Sequence, residues 1–408
     1  MHIPSERIYD EIRSEAASIW YVPANEGEDI AVLLKLPTPS IKALITGCSV
    51  RLIFGKKNGI LCTGIRIFDM PDSPMYVSGI QRHEEEHVAL NKILSLGTFP
   101  LFLFNEMDVC LAWTNAEICK NEAANITNFI GPINQLYVGK FTENSSHCLD
   151  CFDTTNDNTL NFQSAHKITT MELAPSFSDW TTINNSFVGH RAHHTITIDD
   201  KDEGEIFERA IWASLESVFP FTLYKSPQIK KGTNLRELTD ILTFYENGSF
   251  LIEAKDLSVL KAGFERNQTR RTNGVQKQVK KAIKQLIGAS NALASGKVVF
   301  DSNGEELDIE RKQPPHCIIL ITELMHWGDW SDVTCQLMDA MEKTGAFFHL
   351  LDLREFITLL KCSSGQIELV DYNLIKRCEL FIETKNIHIR SKPDPNHQIN
   401  RTEDTSAT

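Results

Sequence analysis

The residues best suited to chemistry concentrate between Arg236 and Asp256, a stretch reading Arg-Glu-Leu-Thr-Asp-Ile-Leu-Thr-Phe-Tyr-Glu-Asn-Gly-Ser-Phe-Leu-Ile-Glu-Ala-Lys-Asp. Asp240, Glu253 and Lys255 stand beside apolar runs, where strand interiors select against charge unless something compensates it. Turn residues Asn247-Gly248 separate Ile241 to Tyr245 from Phe250 to Ile252 and predict a β-hairpin. Glu253 and Lys255 are two apart, so they share one face of the second strand. Asp240, across the turn, brings a second carboxylate toward Glu253. Two acids and an ammonium on one sheet face describe a metal site with an attendant base or charge donor. The alternative is a solvent-facing hairpin decorated with charge, but Phe250-Leu251-Ile252 runs straight into Glu253 and argues for a central strand.

An Asp, a hairpin's length of chain and then Glu-x-Lys behind apolar residues resembles the PD-(D/E)xK nuclease superfamily. The resemblance covers Glu205 to Phe300 and implies a helix, three antiparallel strands, a second helix and a further strand. The sequence offers that order. Glu205 to Val218 has helical spacing (Ile206, Ala210, Leu215, Val218), Phe221 to Ile229 suits a first strand, and the hairpin supplies the next two. Val275 to Ala294 carries Val275, Val279, Ala282, Leu286 and Leu293 on one helical stripe, ahead of an apolar strand at Lys297 to Phe300. Further apolar strands are expected at His316 to Thr322 and Ala346 to Leu351. The expected fold class is therefore α/β: a restriction-endonuclease-like core, with a mixed central sheet flanked by helices, preceded by a strand-rich α/β N-terminal domain.

The resemblance also assigns roles. Asp240 and Glu253 would be metal carboxylates, the Ala254 carbonyl a further ligand, and Lys255 the group that orients the attacking water or stabilises phosphate charge. An acid from the first helix often joins such sites; Glu208 is the candidate and Glu205 its rival. Hard oxygen ligands suit Mg²⁺, with Mn²⁺ able to substitute, and such an ion activates water and neutralises phosphate oxygens. Strict alternation turns Glu237 to the opposite face. No Pro precedes Asp240, a departure the superfamily often shows.

The chain as a whole is acidic, at a formal net charge of −13, which argues against a general polyanion binder. Near the hairpin the balance reverses. From Lys261 to Lys284 there are eight basic residues (Lys261, Arg266, Arg270, Arg271, Lys277, Lys280, Lys281, Lys284) against Glu265 alone. Lys277, Lys280, Lys281 and Lys284 fall off the apolar stripe. Together with Arg270, Arg271 and Gln276 they form a candidate track for nucleic-acid phosphates, as an alternative to an ordinary solvated basic helix. Gln278 and Gln285 share the helix, and Arg266 to Asn273 is polar enough to be a loop that closes on substrate.

At 408 residues the chain is long enough for two domains, and 42% apolar with 23% charged residues is an ordinary globular composition. No apolar run approaches the roughly 20 residues of a membrane span. The start, Met-His-Ile-Pro-Ser-Glu-Arg, has no secretory pattern, and the ten scattered cysteines suit reduced thiols, so a cytoplasmic protein is expected. The expected division is 1–200, a strand-rich domain for recognition, regulation or assembly; 201–390, the nuclease-like domain; and 391–408, a disordered tail. In the first part, strands are expected at Ile30 to Leu36, Val50 to Phe54, Ile60 to Phe68, Leu101 to Phe104 and Val109 to Trp113, with a helix at His83 to Leu94. Thr142 to Gln163 reads as an exposed loop, short strands return around Ser186 to Ile198, and acidic Asp199 to Glu205 makes the junction. Helices are expected near Trp330 to Lys343 and from Arg354 to Cys362.

Two other constellations compete. His83-Glu84-Glu85-Glu86-His87 matches the His-Glu-x-x-His pattern of zinc proteases, with Glu106 at a tolerable distance for a third ligand; but Asn105 to Asp108 reads as a hairpin turn, and the three consecutive glutamates favour a charged surface helix. Cys148-Leu-Asp-Cys151, beside His147, cannot close a tetrahedral zinc site unless Cys110, Cys119 or the His190, His193, His194 cluster completes it. Trp327 and Trp330 could stack on a base, but core packing is the commoner fate of tryptophan. The function expected is that of a Mg²⁺-dependent endonuclease acting on nucleic acid, with DNA the expected substrate although nothing in the sequence separates DNA from RNA, and with a homo-oligomer or protein partner engaged through the first domain. Superfamily analogy implies settings such as defence against phage or other foreign DNA, repair or recombination. The alternative is a catalytically inactive nuclease-fold module that binds nucleic acid or protein.

Overall fold

The computed structural model describes residues 5–70, 72–157, 159–189, 193–198, 203–255 and 267–391. The chain is mixed α/β and forms two compact units, one built mainly from residues up to Asn185 and the other mainly from Ser186 onward.

The first unit holds two sheets. In one, Ser18–Ala24, Asp29–Lys35, Thr98–Phe104 and Cys110–Glu117 lie side by side; in the other, Met75–Gln81, Ile60–Ile67, Val50–Lys57 and Thr170–Leu173 do. Every strand expected here from alternation is present. The Val50–Lys57 hairpin closes through Asn58 and Gly59, both at positive φ (53° and 79°), the two-residue turn that matches strand twist.

Thr142 to Gln163 departs from the expected loop. Glu143–Asn156 is a helix whose N-terminus is capped by Thr142 Oγ1, which accepts from the Ser145 amide at 3.2 Å. Polar residues cover its outside, but Cys148, Cys151 and Phe152 stand at i, i+3 and i+4 and are buried. Phe152 lies against Ile53, Ile60 and Cys62. A Cβ at Gly55 would meet the Phe152 ring at 2.5 Å, so only glycine leaves the ring its place.

The second unit is a layered α/β structure. Its elements are α1 (Glu203–Glu216), β1 (Leu223–Lys225), β2 (Ile241–Tyr245), β3 (Gly248–Lys255), α2 (Gln268–Ala294), β4 (His316–Ile321), α3 (Ser331–Thr344), β5 (Phe347–Asp352), α4 (Leu353–Cys362) and α5 (Ile367–Thr384). The sheet order is β1-β2-β3-β4-β5. β1, β2 and β3 are antiparallel, while β3, β4 and β5 are parallel. Alternation divides the sheet between two cores. Leu242, Leu251, Cys317, Ile319 and Phe348 pack with Val275, Val279 and Leu286 of α2 and Leu337 of α3. Phe250, Ile252, Ile318 and Leu351 instead meet Leu215 of α1, Phe219 and Phe356 of α4. β4 is buried at every position, as a parallel strand covered on both sides must be.

Several local expectations are corrected. The strand joining the central sheet after α2 is β4; Val299–Phe300 pairs instead with Gln228–Lys231 in a small separate sheet. Phe221 to Ile229 is two strands, because Ser226 turns the chain at φ 47°. The β2–β3 loop is Glu246-Asn247, with Gly248 already paired to Tyr245 and no positive φ among them. Gln268 to Asn273 is helical rather than a loop, since buried Thr272 extends the apolar stripe of α2 by a turn; Arg266 and Lys261 lie outside the described residues. Ser391, expected in the loose tail, is fastened: its amide and hydroxyl donate to Glu355. The rest of that tail, 392–408, lies outside the described residues. Among the described residues no helix is long and apolar enough to cross a membrane, and all ten cysteines are free.

At the amino ends of β4 and β5 a polar chain runs from buried His349 and His316 to half-buried Asp371 and Tyr245. His316 Nε2 lies 2.6 Å from Asp371 Oδ1, His316 Nδ1 lies 3.0 Å from His349 Nε2, and Tyr245 Oη donates to Asp371 Oδ2 at 2.8 Å. Burial, then the charges of His316 and Arg377, hold the His349 pKa well below the ordinary histidine value. Folded His349 therefore stays neutral where the unfolded chain takes up a proton, near pH 6.5. Its stabilising contribution is complete above that pH and is lost as pH falls below it, by up to about 1.4 kcal/mol per pH unit for one proton. His349→Gln keeps a side-chain amide to hydrogen-bond His316 and removes the titration. The urea midpoint of the variant should fall less steeply than that of the wild type between about pH 6.5 and pH 5; parallel slopes would discount His349.

Candidate metal and phosphate site

Hairpin register builds the site. Ile241 faces Ile252 across β2 and β3, so the next residues outward on the two chains are Asp240 and Glu253. Asp240 stands just before β2 and is pinned on both sides: its carbonyl accepts from the Ser226 amide at 2.8 Å, and the neighbouring Thr239 hydroxyl donates to the Ile252 carbonyl at 2.8 Å. Asp240 Oδ2 accepts from the Ala254 amide at 2.8 Å and from Lys255 Nζ at 3.0 Å. The same ammonium donates to Glu253 Oε2 at 2.8 Å. Asp240, Glu253 and Lys255 thus meet around one nitrogen, at the carboxyl end of β3. Each carboxylate keeps its second oxygen outside this pairing.

Burial makes the arrangement electrostatically tense. The Glu253 side chain is 1% exposed, against 15% for Asp240 and 17% for Lys255. Burial first, then the Asp240 charge, pushes the Glu253 pKa up to about 7, although Lys255 opposes both. For Lys255, burial alone would lower the pKa; the two carboxylates outweigh it and raise it. One ammonium does not balance two carboxylates in a site with so little water.

The remaining candidates fall into place around this centre. Glu208 is turned to Lys225, with Oε2 3.3 Å from Nζ, because α1 covers the sheet face opposite to the one bearing Leu251 and Glu253. Its pKa is raised chiefly by burial, opposed by Lys225 and reinforced by Asp240. The side chain of Glu205 lies outside the described residues. Glu237 is exposed on Asn234–Glu237, a strand of the small sheet, so alternation along the hairpin does not govern it. Its charge acts on both Glu208 and Glu253.

Helix α2 packs on the same sheet face as Leu251, and hence as Glu253 and Lys255, two and four residues along. It carries six Lys and Arg residues and no acid. Three of its polar candidates are structural pins: Arg271 pairs with Glu323 at 2.6 Å, Gln276 donates to the Asp329 carbonyl at 2.6 Å, and Lys280 pairs with Asp332. Lys277, Lys281 and Lys284 are exposed along one side of the helix, as is Arg270 near its start.

The competing constellations dissolve. His83 precedes its helix, and Glu86 Oε2 accepts from the Arg82 and His83 amides. His87 is buried with Nε2 2.9 Å from the Gln81 carbonyl, and Glu106 accepts from the Thr38 amide and hydroxyl. Those contacts are structural and leave no shared metal position. Between Cys151 and His147 sits the Lys57 ammonium, at 3.2 and 3.1 Å. Of the expected histidine cluster, His190 lies outside the described residues, His193 is exposed, and His194 faces Glu216 at 3.4 Å. Trp330 is buried and donates to the Trp327 carbonyl, in the core rather than on a binding face.

Among the described residues no group of three or more His, Cys, Asp or Glu side chains is arranged to hold a metal. The pair Asp240 and Glu253 nevertheless has the chemistry of a hard-cation site: two acidic oxygens converge, and burial leaves their charge under-compensated. Mg²⁺ needs few protein ligands because it keeps several waters. Comparison with protein-family models, curated proteins and solved structures finds no match to the chain.

A divalent cation that binds here should stabilise the fold. With Mg²⁺ at ten times its dissociation constant, the gain is about 1.4 kcal/mol, read as an upward shift of the melting temperature. Glu253→Gln should abolish the shift while melting no lower than the metal-free wild type, since it removes a strained buried charge. An equal Mg²⁺ shift in both proteins would place the ion elsewhere.

Proposed function

We propose that this chain is a Mg²⁺-dependent nuclease that hydrolyses phosphodiester bonds, with DNA as substrate, on a restriction-endonuclease-like core. The observation that carries the reading is the meeting of Asp240, Glu253 and Lys255 around one nitrogen, on the sheet face covered by a helix whose charged residues are all basic. The run of α1, three antiparallel strands, α2 and parallel β4 supports the same reading.

Asp240 and Glu253, with the Ala254 carbonyl, would hold the ion, which supplies charge neutralisation at the phosphate and a bound water of lowered pKa. Lys255 stands within hydrogen-bond reach of both carboxylates and has three N–H donors, enough to keep one carboxylate and direct another hydrogen at the incoming water or a phosphate oxygen. Burial excludes competing water and strengthens each of these interactions. Lys277, Lys281 and Lys284 present a line of positive charge to a nucleic-acid backbone, while Arg271, Gln276 and Lys280 keep that helix in place. A cytoplasmic setting and a role in defence against foreign DNA accord with this chemistry.

A second reading, a nuclease fold used only for binding, draws on the engagement of Glu208 with Lys225, which leaves two carboxylates at the centre. The two readings part in one assay. Purified protein with plasmid, linear or single-stranded DNA and Mg²⁺ should cut, and Lys255→Ala should lose at least about a hundredfold in rate, the scale set by removing one electrostatic catalytic group, while still binding DNA. Binding without cutting by either protein would establish the module instead.

The triple variant Lys277→Glu, Lys281→Glu, Lys284→Glu should weaken DNA binding and flatten its salt dependence. The slope of log K against log salt should become shallower by about 0.9 for each phosphate that the helix no longer neutralises. An unchanged slope would remove α2 from the interface.

A further inference from the structure

The first unit contains a thiol cluster that the nuclease reading does not use. Cys62, on strand Ile60–Ile67, and Cys148, on helix Glu143–Asn156, place their sulfurs 3.5 Å apart. Both are buried, at 0% and 1% exposure, beside Ile53, Ile60 and Phe152. One helical turn along, Cys151 Sγ accepts from Lys57 Nζ at 3.2 Å and from the His166 amide at 3.3 Å, with His147 Nε2 3.7 Å away. Lys57 and His147 are half-buried, so the polar side of the cluster reaches toward solvent.

We propose that Cys62 and Cys148 are a modification site, a dithiol that a peroxide-class oxidant converts to a disulfide fastening the helix Glu143–Asn156 to its sheet. The two sulfurs are already in contact, 3.5 Å apart, on elements held by the Phe152 packing, and a disulfide brings them to about 2.05 Å. Cys148 is the better nucleophile of the pair. Contact with Cys62, then Lys57, lowers its pKa against the opposing effect of burial, whereas the same contact and burial raise Cys62 well above the ordinary thiol value. The thiolate, not the thiol, reacts.

The Cys148 thiolate attacks one peroxide oxygen and the O–O bond breaks. Cys148 becomes a sulfenic acid, and the departing oxygen leaves as water after taking up a proton. The Cys62 sulfur then attacks the Cys148 sulfur, the S–O bond breaks, and the hydroxyl leaves with the Cys62 proton as a second water. Two thiols have given up two electrons and two protons to one peroxide. The Lys57 ammonium contacts both Cys151 and His147, so Cys151 lies beside the pair as a hydrogen-bond acceptor.

The full-length protein is treated with hydrogen peroxide, alkylated under denaturing conditions and digested. A peptide joining Cys62 to Cys148, lighter by two hydrogens than its separate parts and released by dithiothreitol, is the result expected. Cys62→Ser and Cys148→Ser should each abolish it, and Cys151→Ser should retain it. The proposal is overturned if both residues remain alkylatable, if the link joins Cys148 to Cys151, or if the protein as purified holds stoichiometric zinc on these thiols. The readout is independent of DNA cleavage, so it stands or falls apart from the nuclease assignment.

Discussion

A single ammonium group, that of Lys255, holds together two carboxylates that would otherwise repel each other in a nearly dry environment. Glu253 sits at the end of a strand buried along almost its whole length, where an ionised side chain is tolerated only with a close counter-charge. Asp240 adds a second negative charge, and Lys255 reaches both. That triad constrains its surroundings. β3 must remain central so that the site stays dry, and the chain before β2 must be pinned by Ser226 and Thr239 so that Asp240 cannot swing away. The sheet must also change from antiparallel to parallel pairing at β3, so that its carboxyl end opens beside β4 rather than into a turn.

The same frame explains the division of labour along α2. An amphipathic helix with ten buried positions is held by its apolar stripe, but its rotation and height are set by polar pins to the segment after β4: Arg271 to Glu323, Gln276 to Asp329, Lys280 to Asp332. Those pins consume charges that composition alone would assign to a ligand. Lys277, Lys281 and Lys284 are left exposed on the outer side of the helix. At the far side of the sheet, Arg390 grips Asp352 with two hydrogen bonds of 2.6 and 2.7 Å, and Arg377 meets Glu355 at 3.0 Å. Arg377 also donates to the carbonyls of Ile389 and Leu350, so these contacts fasten the segment around Ile389 to the edge strand, β5.

Much of the site was legible from local spacing. An offset of thirteen from Asp240 to Glu253, with a turn at the middle, already places the two opposite each other, and alternation adds Lys255. Long apolar runs such as His316 to Ile321 announced buried strands. What sequence could not supply was which strand joins which sheet: Val299–Phe300 is apolar enough for a core strand, yet only tertiary pairing sends it to Gln228–Lys231. The helix Glu143–Asn156 was hidden by its polar surface, although the threonine cap and the spacing of Cys148, Cys151 and Phe152 carried the signal. The proximity of Cys62 and Cys148 was invisible, since 86 residues separate them. Glu208 illustrates the opposite failure: an acid at a plausible helical position turns to Lys225, because which sheet face a helix covers is not written in its own periodicity.

The tight Glu246-Asn247 connection has an evolutionary corollary. Cross-strand opposition depends on the two arms having matched lengths, not on the absolute count of residues between the acids. Lengthening each arm by one residue at its tip would leave Asp240 and Glu253 face to face, whereas a single insertion in one arm would slide the acids out of alignment. Drift in this loop should therefore be tolerated in even steps, and a fixed-length motif search would overlook descendants that keep the same chemistry.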